Sequence, residues 1–466
     1  MLETDVVVVG AGPAGLSAAL QASLAGARVI VVDEYARPGG QYFKQPAEAF
    51  RLLDRSAMGR DFQAGIDLIS QVERGGIEVL SDTIVWGAFD PHILEIYRAG
   101  ECQQIAASRV VIATGAYDRP IAFPGWTLPG VITAGAAQTL LKNQWVIPGD
   151  RVLMAGTGPF QLPVAAHLVK AGATLVALLE ASKVSAGWLT RVPAVWKHLG
   201  KVREAQDYLG TLLKARIDFR PGWTILEARG KDQVEQAVIV QLDDDWHPIA
   251  GTEKVLDVDT ICLGFGFIPS LQLPRLLGSA SRWDAELPAW VTEHDADQRT
   301  SVPDVFVAGE TTGIGGHDVA IGEGAVAGIK AAADLGKVSP DEVERRLSKV
   351  RTDLKNQREF ASYLNRTFAL KPGIYDLISD DTVICRCEEV TAGEIARVAG
   401  EWNGSLRTIK QLTRAGMGNC QGRICGSLVA QIAAKASGKK VEEIDLDTPR
   451  PPIKPIPLEA LAGMPG

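Results

Sequence analysis

The stretch Asp5–Glu34, DVVVVGAGPAGLSAALQASLAGARVIVVDE, restricts the possible folds more than any other part of the chain. An apolar run ends on a glycine turn, an alanine-rich segment follows, and a second apolar run closes at Asp33. That order predicts strand, tight turn, helix and strand, the opening unit of an α/β nucleotide-binding fold. Gly10, Gly12 and Gly15 fit G-x-G-x-x-G. The first permits the turn, the second lets the backbone approach a pyrophosphate, and the third lets helix and strand pack closely. Pro13 and Ala14 stand at the helix start, where free N–H groups and the helix dipole favour phosphate. Asp33 ends the second strand, where a carboxylate can accept from a ribose hydroxyl, and Glu34 is the alternative acid. A bare glycine motif is weak evidence. With strand, helix and acid all in place, it points to a bound dinucleotide.

The pattern recurs at residues 149–182, GDRVLMAGTGPFQLPVAAHLVKAGATLVALLEAS. This architectural repeat marks a second nucleotide-binding domain inserted into the first. Its motif reads Gly156-x-Gly158-Pro159-x-Gln161, so the third glycine is missing, and Gln161 is expected to push helix and strand apart unless the packing adapts. Glu180 takes the ribose-acid position and disfavours a 2′-phosphate. The expectation is an adenine nucleotide (NAD or ATP) on Gly156, Gly158, Pro159 and Glu180, with a vestigial fold as the alternative. Residues 183–216 interrupt the plan with helical, tryptophan-bearing sequence, read as a packed helical insertion.

At 466 residues the chain is too long for one core. The reading divides it into residues 1–120 and 271–345 for the first nucleotide-binding domain, and 121–270 for the inserted one. A helical linker (346–378), a cysteine-bearing domain (379–447) and a proline-rich tail (448–466) complete it. The tail is expected to be extended, since its prolines suit neither helix nor central strand. It would clasp the chain's own surface or a partner. A net charge of −8 offers no basic field for nucleic acid or an anionic membrane. No apolar run approaches the ~18 residues of a membrane span, and the chain enters a strand with no room for a signal peptide. A cytoplasmic protein is expected.

Four of the six cysteines lie close together in sequence, Cys385 and Cys387 at C-x-C, Cys420 and Cys425 at C-x4-C. A disulfide across the first pair would be strained, so the quartet suits a soft-metal site. Structural zinc is the plain alternative, although four-cysteine zinc sites usually show C-x2–4-C pairs. The run CRCEEV…GNCQGRICG resembles the bacterioferritin-associated-ferredoxin type of 2Fe–2S domain over about residues 380–445. That resemblance implies all four cysteines as cluster ligands. Cys102 and Cys262 stand alone in strand-like sequence and read as core. His317, in GIGGHDVA, reads as a hydrogen-bonded loop histidine in preference to a catalytic one.

Three further segments carry a resemblance over residues 1–345: RPGGQY, the strand RVVIATGAYDRP, and VPDVFVAGETTGIGG followed by a helix. Together they resemble the two-dinucleotide-binding-domain flavoproteins, α/β proteins with nested Rossmann-like domains. By that resemblance the first site holds FAD. Its contacts are Gly10, Gly12, Pro13, Ala14, Gly15, Asp33, Glu34, Gly39, Gly40, Gln41, Val85, Ala113, Thr114, Gly115, Gly309 and Glu310. Most such proteins have Asp where this chain has Glu310. A small helical 2Fe–2S domain completes the expected fold.

The whole combination, with DEYARPGGQY, GTGPFQ and the tail PRPPIKPIPLEAL, is similar to the A (alpha) subunits of heteromeric bacterial amine and imino-acid dehydrogenases. This family includes opine oxidases, hydroxyproline dehydrogenases and a hydrogen cyanide synthase subunit. It implies a hetero-oligomer in which an amino-acid-oxidase-like flavoprotein B (beta) subunit oxidises the C–N bond, and it admits a small third subunit. The alpha-type chain takes up the electrons and forwards them. A self-contained NAD(P)H-dependent FAD/2Fe–2S reductase is the competing reading, and an iron-handling adaptor the non-enzymatic one. No acid, base or arginine constellation marks a substrate pocket, and no catalytic residue is assigned.

Overall fold

The computed structural model describes residues 1–47, 49–50, 60–183 and 199–463. The chain divides into two compact units. One comprises Met1–Tyr117, Ile268–Asn365 and Thr448–Gly466, the other Asp118–Phe267 and Arg366–Asp447.

The first unit is built on a seven-stranded sheet. Its order is Glu78–Leu80, Val29–Val32, Leu2–Val9, Glu101–Ile112, Ile93–Arg98 and Thr83–Asp90, with Val305–Val307 pairing the end of Glu101–Ile112. Leu2–Val9 runs parallel to both neighbours, Val8 lying opposite Val31 and Val111. A parallel strand covered on both faces must be apolar throughout, which explains the unbroken valine run. Val6 and Val8 face the helices Pro13–Leu24 and His317–Asp334, while Val7 and Val9 face a second apolar layer.

The two helices touch through their backbones. A methyl group at residue 324 would lie 2.1 Å from the Ala14 carbonyl oxygen, and one at residue 328 would lie 2.1 Å from that of Ala18. Only glycine fits such a crossing, since the atoms it meets are the backbone of Ala14 and Ala18. This contact brings the starts of both helices toward the ends of the central strands.

In the second unit, five strands form a parallel sheet in the order Phe219–Pro221, Thr174–Glu180, Arg151–Gly156, Thr260–Gly264 and Val131–Thr133. A three-stranded antiparallel sheet, Trp223–Arg229, Gln236–Gln241 and Lys254–Asp257, accompanies it. The later part of this unit carries the short strands Val383–Cys385 and Val390–Thr391 and the helices Ala392–Glu401, Leu406–Thr413 and Gly426–Ser437. Thr391 caps the first of these helices and Glu394 returns the bond, a closed capping box.

Of the insertion expected at 183–216, residues 184–198 with both its tryptophans lie outside the described residues, and Leu199–Lys214 is helix. The tail differs from expectation. Extended through its prolines, it turns helical at Leu458–Ala462, because proline-free LEALA consists largely of strong helix formers. It packs on the first unit, with Ile453 5 % exposed and its N–H donating to the Trp86 carbonyl at 2.8 Å.

Gly328→Ala separates packing from propensity. Helix propensity favours alanine by ~1 kcal/mol. The clash with Ala18 is expected to outweigh that and leave a net loss of about 2 kcal/mol in chemical denaturation. A neutral or stabilised variant would contradict the crossing described above.

Candidate functional site

The turn after Leu2–Val9 meets the geometric demands of its sequence. Gly10 has φ +106°, and a methyl group there would lie 2.3 Å from the Ala113 carbonyl oxygen. A methyl group at residue 15 would lie 1.7 Å from the Gly10 oxygen. Gly12 is the helix N-cap, Pro13 follows as the first helical residue, and no side chain caps the free N–H groups. The RPGG loop closes on the same turn. Gly39 N–H donates to the Ala11 carbonyl at 2.8 Å, and Gly40 approaches so closely that its Cβ would lie 2.7 Å from Gly12 Cα.

Asp33 is buried at the end of its strand. It accepts from the N–H of Ala11 and, at 2.8 Å, from that of Tyr35. Burial pushes its carboxyl above the usual range, and the two backbone bonds oppose the shift. Two bonds use half of a carboxylate's four acceptor positions. Glu34 is more exposed and pairs with Lys454 of the tail. Gln41 donates to the Tyr35 hydroxyl at 2.8 Å and accepts from Lys44 at 2.8 Å. Val85 is buried on the strand Thr83–Asp90.

At the same end of the sheet, beyond Ile112 and Val307, two turns lock together. Thr114 and Thr311 hydroxyl oxygens lie 3.3 Å apart, and Ser270 N–H donates to the Gly115 carbonyl at 2.9 Å. Glu310 lies in the 3-10 turn Gly309–Thr311. Sequence reasoning missed Glu323, which organises this turn from inside the helix His317–Asp334. Only 2 % exposed, it accepts from Gly309 N–H at 2.9 Å, from the Thr312 hydroxyl at 2.8 Å and from Arg358 at 2.8 Å. The carboxylate inside IGEGAVAG was the available signal, an acid amid residues that otherwise read as core. His317 begins the helix, stacks on Tyr42 at 4.0 Å between ring centroids, and pairs with Asp318 at 3.1 Å.

The second motif takes the same path with different chemistry. Gln161 does not force helix and strand apart, because Gly264 lies opposite it and leaves the space its side chain fills. Its amide donates to Glu180 at 3.2 Å. Glu180 also accepts from the N–H of Gly158 and of Ser182, each at 2.9 Å, and from the hydroxyls of Thr157 and Ser182. Burial pushes its carboxyl up against these bonds. Where Asp33 has two donors, Glu180 has five, enough to fill a carboxylate. The Phe368 side chain lies beside Gly158, 3.7 Å from where a methyl group on that glycine would sit. Pro159 lies in the same turn.

The four C-terminal cysteines converge. The Cys425 thiol is hydrogen-bonded with Cys385 and Cys420, and Cys420 with Cys387. All are free thiols, and the pairs are bound across the sequence gap by a 2.6 Å Arg414–Glu388 ion pair. Hydrogen bonding with the Cys425 sulfur, which shares its single S–H between the two, holds Cys385 down to about 6 and Cys420 down to about 5, with backbone N–H groups adding to both, and Cys425 is itself pushed up. Gly416 N–H lies 3.5 Å from the Cys385 sulfur, and Cys425 is the N-cap of Gly426–Ser437. Among the described residues, no group of three or more histidines, cysteines and carboxylates is set to hold a metal ion as it stands. Cys262 is fully buried and pushed up to about 12 by desolvation, the behaviour of a core thiol. Cys102 is partly exposed on its strand.

Comparison with known proteins places these features in context. Residues 4–330 match the family described as pyridine nucleotide-disulphide oxidoreductase, and residues 380–464 match the sarcosine oxidase A3 domain, which takes in the tail. The A subunit of opine oxidase from Rhizobium meliloti is 32 % identical over 99 % of this chain and 88 % of its own length. Hydrogen cyanide synthase subunit HcnB of Pseudomonas aeruginosa is 30 % identical over 98 % of each. In fold, L-proline dehydrogenase from P. horikoshii superposes with a TM-score of 0.68 at 22 % identity, covering 99 % of this chain and 79 % of that one.

Removing the buried carboxylate in Glu323→Ala leaves Gly309 N–H and the Thr312 hydroxyl without their partner. A loss of about 2–3 kcal/mol is expected in equilibrium unfolding. Unchanged stability would mean that Glu323 does not hold the turn.

Proposed function

The chain belongs to the pyridine nucleotide-disulphide oxidoreductase family and to that of the opine oxidase alpha-type subunits, and is a FAD-dependent oxidoreductase; on that premise we propose that it is the electron-transfer subunit of a heteromeric dehydrogenase of opines, hydroxyproline or similar secondary amino acids. In this reading an amino-acid-oxidase-like flavoprotein partner oxidises the amine, and this chain relays electrons between FAD and a 2Fe–2S cluster. The observation that carries it is the convergence of four thiols on a chain with an intact dinucleotide turn.

The residues fit both groups. For FAD, the uncapped helix at Gly12–Pro13 supplies N–H donors to the pyrophosphate, and Asp33 keeps acceptor capacity for the adenosine ribose. Toward the flavin, the turns at Ala113–Gly115 and Gly309–Glu310 and the start of His317–Asp334 line the remaining path. No side chain caps that helix either. For the cluster, the donor set is all sulfur, and Gly416 N–H lies within reach of Cys385, a contact of the kind that stabilises thiolate ligands. When bound, a flavin exchanges electrons in pairs or singly and a 2Fe–2S centre takes one at a time. The protein's part is to hold both, exclude water from the buried thiols, and stabilise the negative charge.

The competing reading, an NAD(P)H-fed reductase, needs a nicotinamide nucleotide on the second motif, and an adenine nucleotide of any kind there meets the same obstacle. Glu180 is saturated by its own protein, and Phe368 stands beside Gly158. This chain alone is expected to show no steady-state amine oxidation with an artificial acceptor, and co-expression with its B-type partner is expected to restore dye-linked turnover of N-substituted amino acids. Robust turnover by the single chain would place the substrate pocket here and overturn the relay.

A further inference from the structure

The C-terminal tail passes beside the acids that close the first nucleotide motif, more than four hundred residues away in sequence. Ile453 is buried in the apolar layer that holds Val9, Val32 and Val85, and its N–H bonds the Trp86 carbonyl at 2.8 Å. Pro451 approaches Gly87 on the same strand, 3.6 Å from where a methyl group there would lie. These contacts deliver Lys454 to Glu34, with which it forms an ion pair, and within electrostatic reach of Asp33. The backbone beneath is tied to the start of that same strand and to the end of the one before it: Thr83 N–H donates to the Asp33 carbonyl and Asp33 N–H donates to the Leu80 carbonyl, both at 2.9 Å.

We infer that tail residues 449–457 form a wall of the dinucleotide site and that Lys454 is a positioning residue for the adenosine half of FAD. It acts through the acid pair, without itself contacting the reacting flavin. The argument is electrostatic. Burial disfavours the ionised form of Asp33, and a nearby cation opposes that. A ribose hydroxyl is bound best by an ionised acceptor. Lys454 supplies the compensating charge. Its own burial pulls it down to about 8, against the charge of Asp33, which holds it up. Lys44 is a second cation within electrostatic reach of Asp33, and burial lowers it too. Residues 449–457 thus belong functionally to the first nucleotide site, although they enter the chain after the cysteine domain.

This inference rests on FAD being held at the Gly10–Gly15 turn. The test compares the full-length wild type with Lys454→Met, which keeps length and packing, and Lys454→Arg, which keeps charge. A variant truncated after Thr448 completes the set. The readouts are flavin bound per chain after gel filtration, the rate of FAD release followed by flavin fluorescence on dilution, and Tm of the flavin-free proteins. Lys454→Met is expected to release FAD about tenfold faster, corresponding to ~1.4 kcal/mol, with its flavin-free Tm unchanged. Lys454→Arg is expected to restore release to within about twofold of wild type, and truncation to exceed the Met effect. FAD retention by Lys454→Met equal to wild type, or equal loss in the Met and Arg variants, would overturn the inference while leaving the flavin assignment intact. A wild-type protein that binds no FAD would overturn that assignment and this inference with it.

Discussion

The first unit depends on one contact that leaves no room for a side chain. Gly324 and Gly328 press against the carbonyls of Ala14 and Ala18, and this close crossing holds the helices Pro13–Leu24 and His317–Asp334 side by side over one sheet. Both helices begin where the central strands end, so both expose their free N–H groups on the same edge. A larger residue at either glycine would separate the helices and with them the two ends of a dinucleotide seat. Glu323 lies within the same stretch and fixes the Gly309–Thr312 turn from behind. Packing and site are thus supplied by a few neighbouring residues of one helix.

The two nucleotide motifs show how little sequence separates an acid with free acceptor positions from one filled by its own protein. Both place an acid at the end of the second strand. Asp33 accepts from two backbone groups and retains capacity, whereas Glu180 is saturated by Gly158, Gln161, Thr157 and Ser182. The replacement of glycine by Gln161 changes the acid's chemistry more than it changes the helix packing, because Gly264 absorbs the added volume. Nearly the same motif can therefore present two acids of very different acceptor capacity.

Much of this was legible locally. Gly10, Gly12, Gly15 and Asp33 lie within one strand–helix–strand unit, where spacing alone dictates geometry. The cysteine quartet could be grouped because its spacing suits few alternatives. What stayed hidden were partnerships across long sequence distance. Gly264 compensating Gln161, Arg358 pairing with Glu323, Phe368 beside Gly158 and Lys454 reaching Glu34 are set by tertiary packing that no window of sequence contains. The tail's final helix was missed for a different reason. Five prolines between residues 449 and 457 dominate the tail's composition, and the strong helix formers that follow them make only a five-residue helix.

The central claim is that one chain holds both a two-electron and a one-electron carrier. Reductive titration of the purified chain under anaerobic conditions, followed by flavin absorbance and by electron paramagnetic resonance, counts the electrons directly. The account predicts about three equivalents per chain, two taken by flavin and one appearing as a 2Fe–2S signal. Uptake of two equivalents with no cluster signal, from protein prepared without exposure to oxygen, would contradict it.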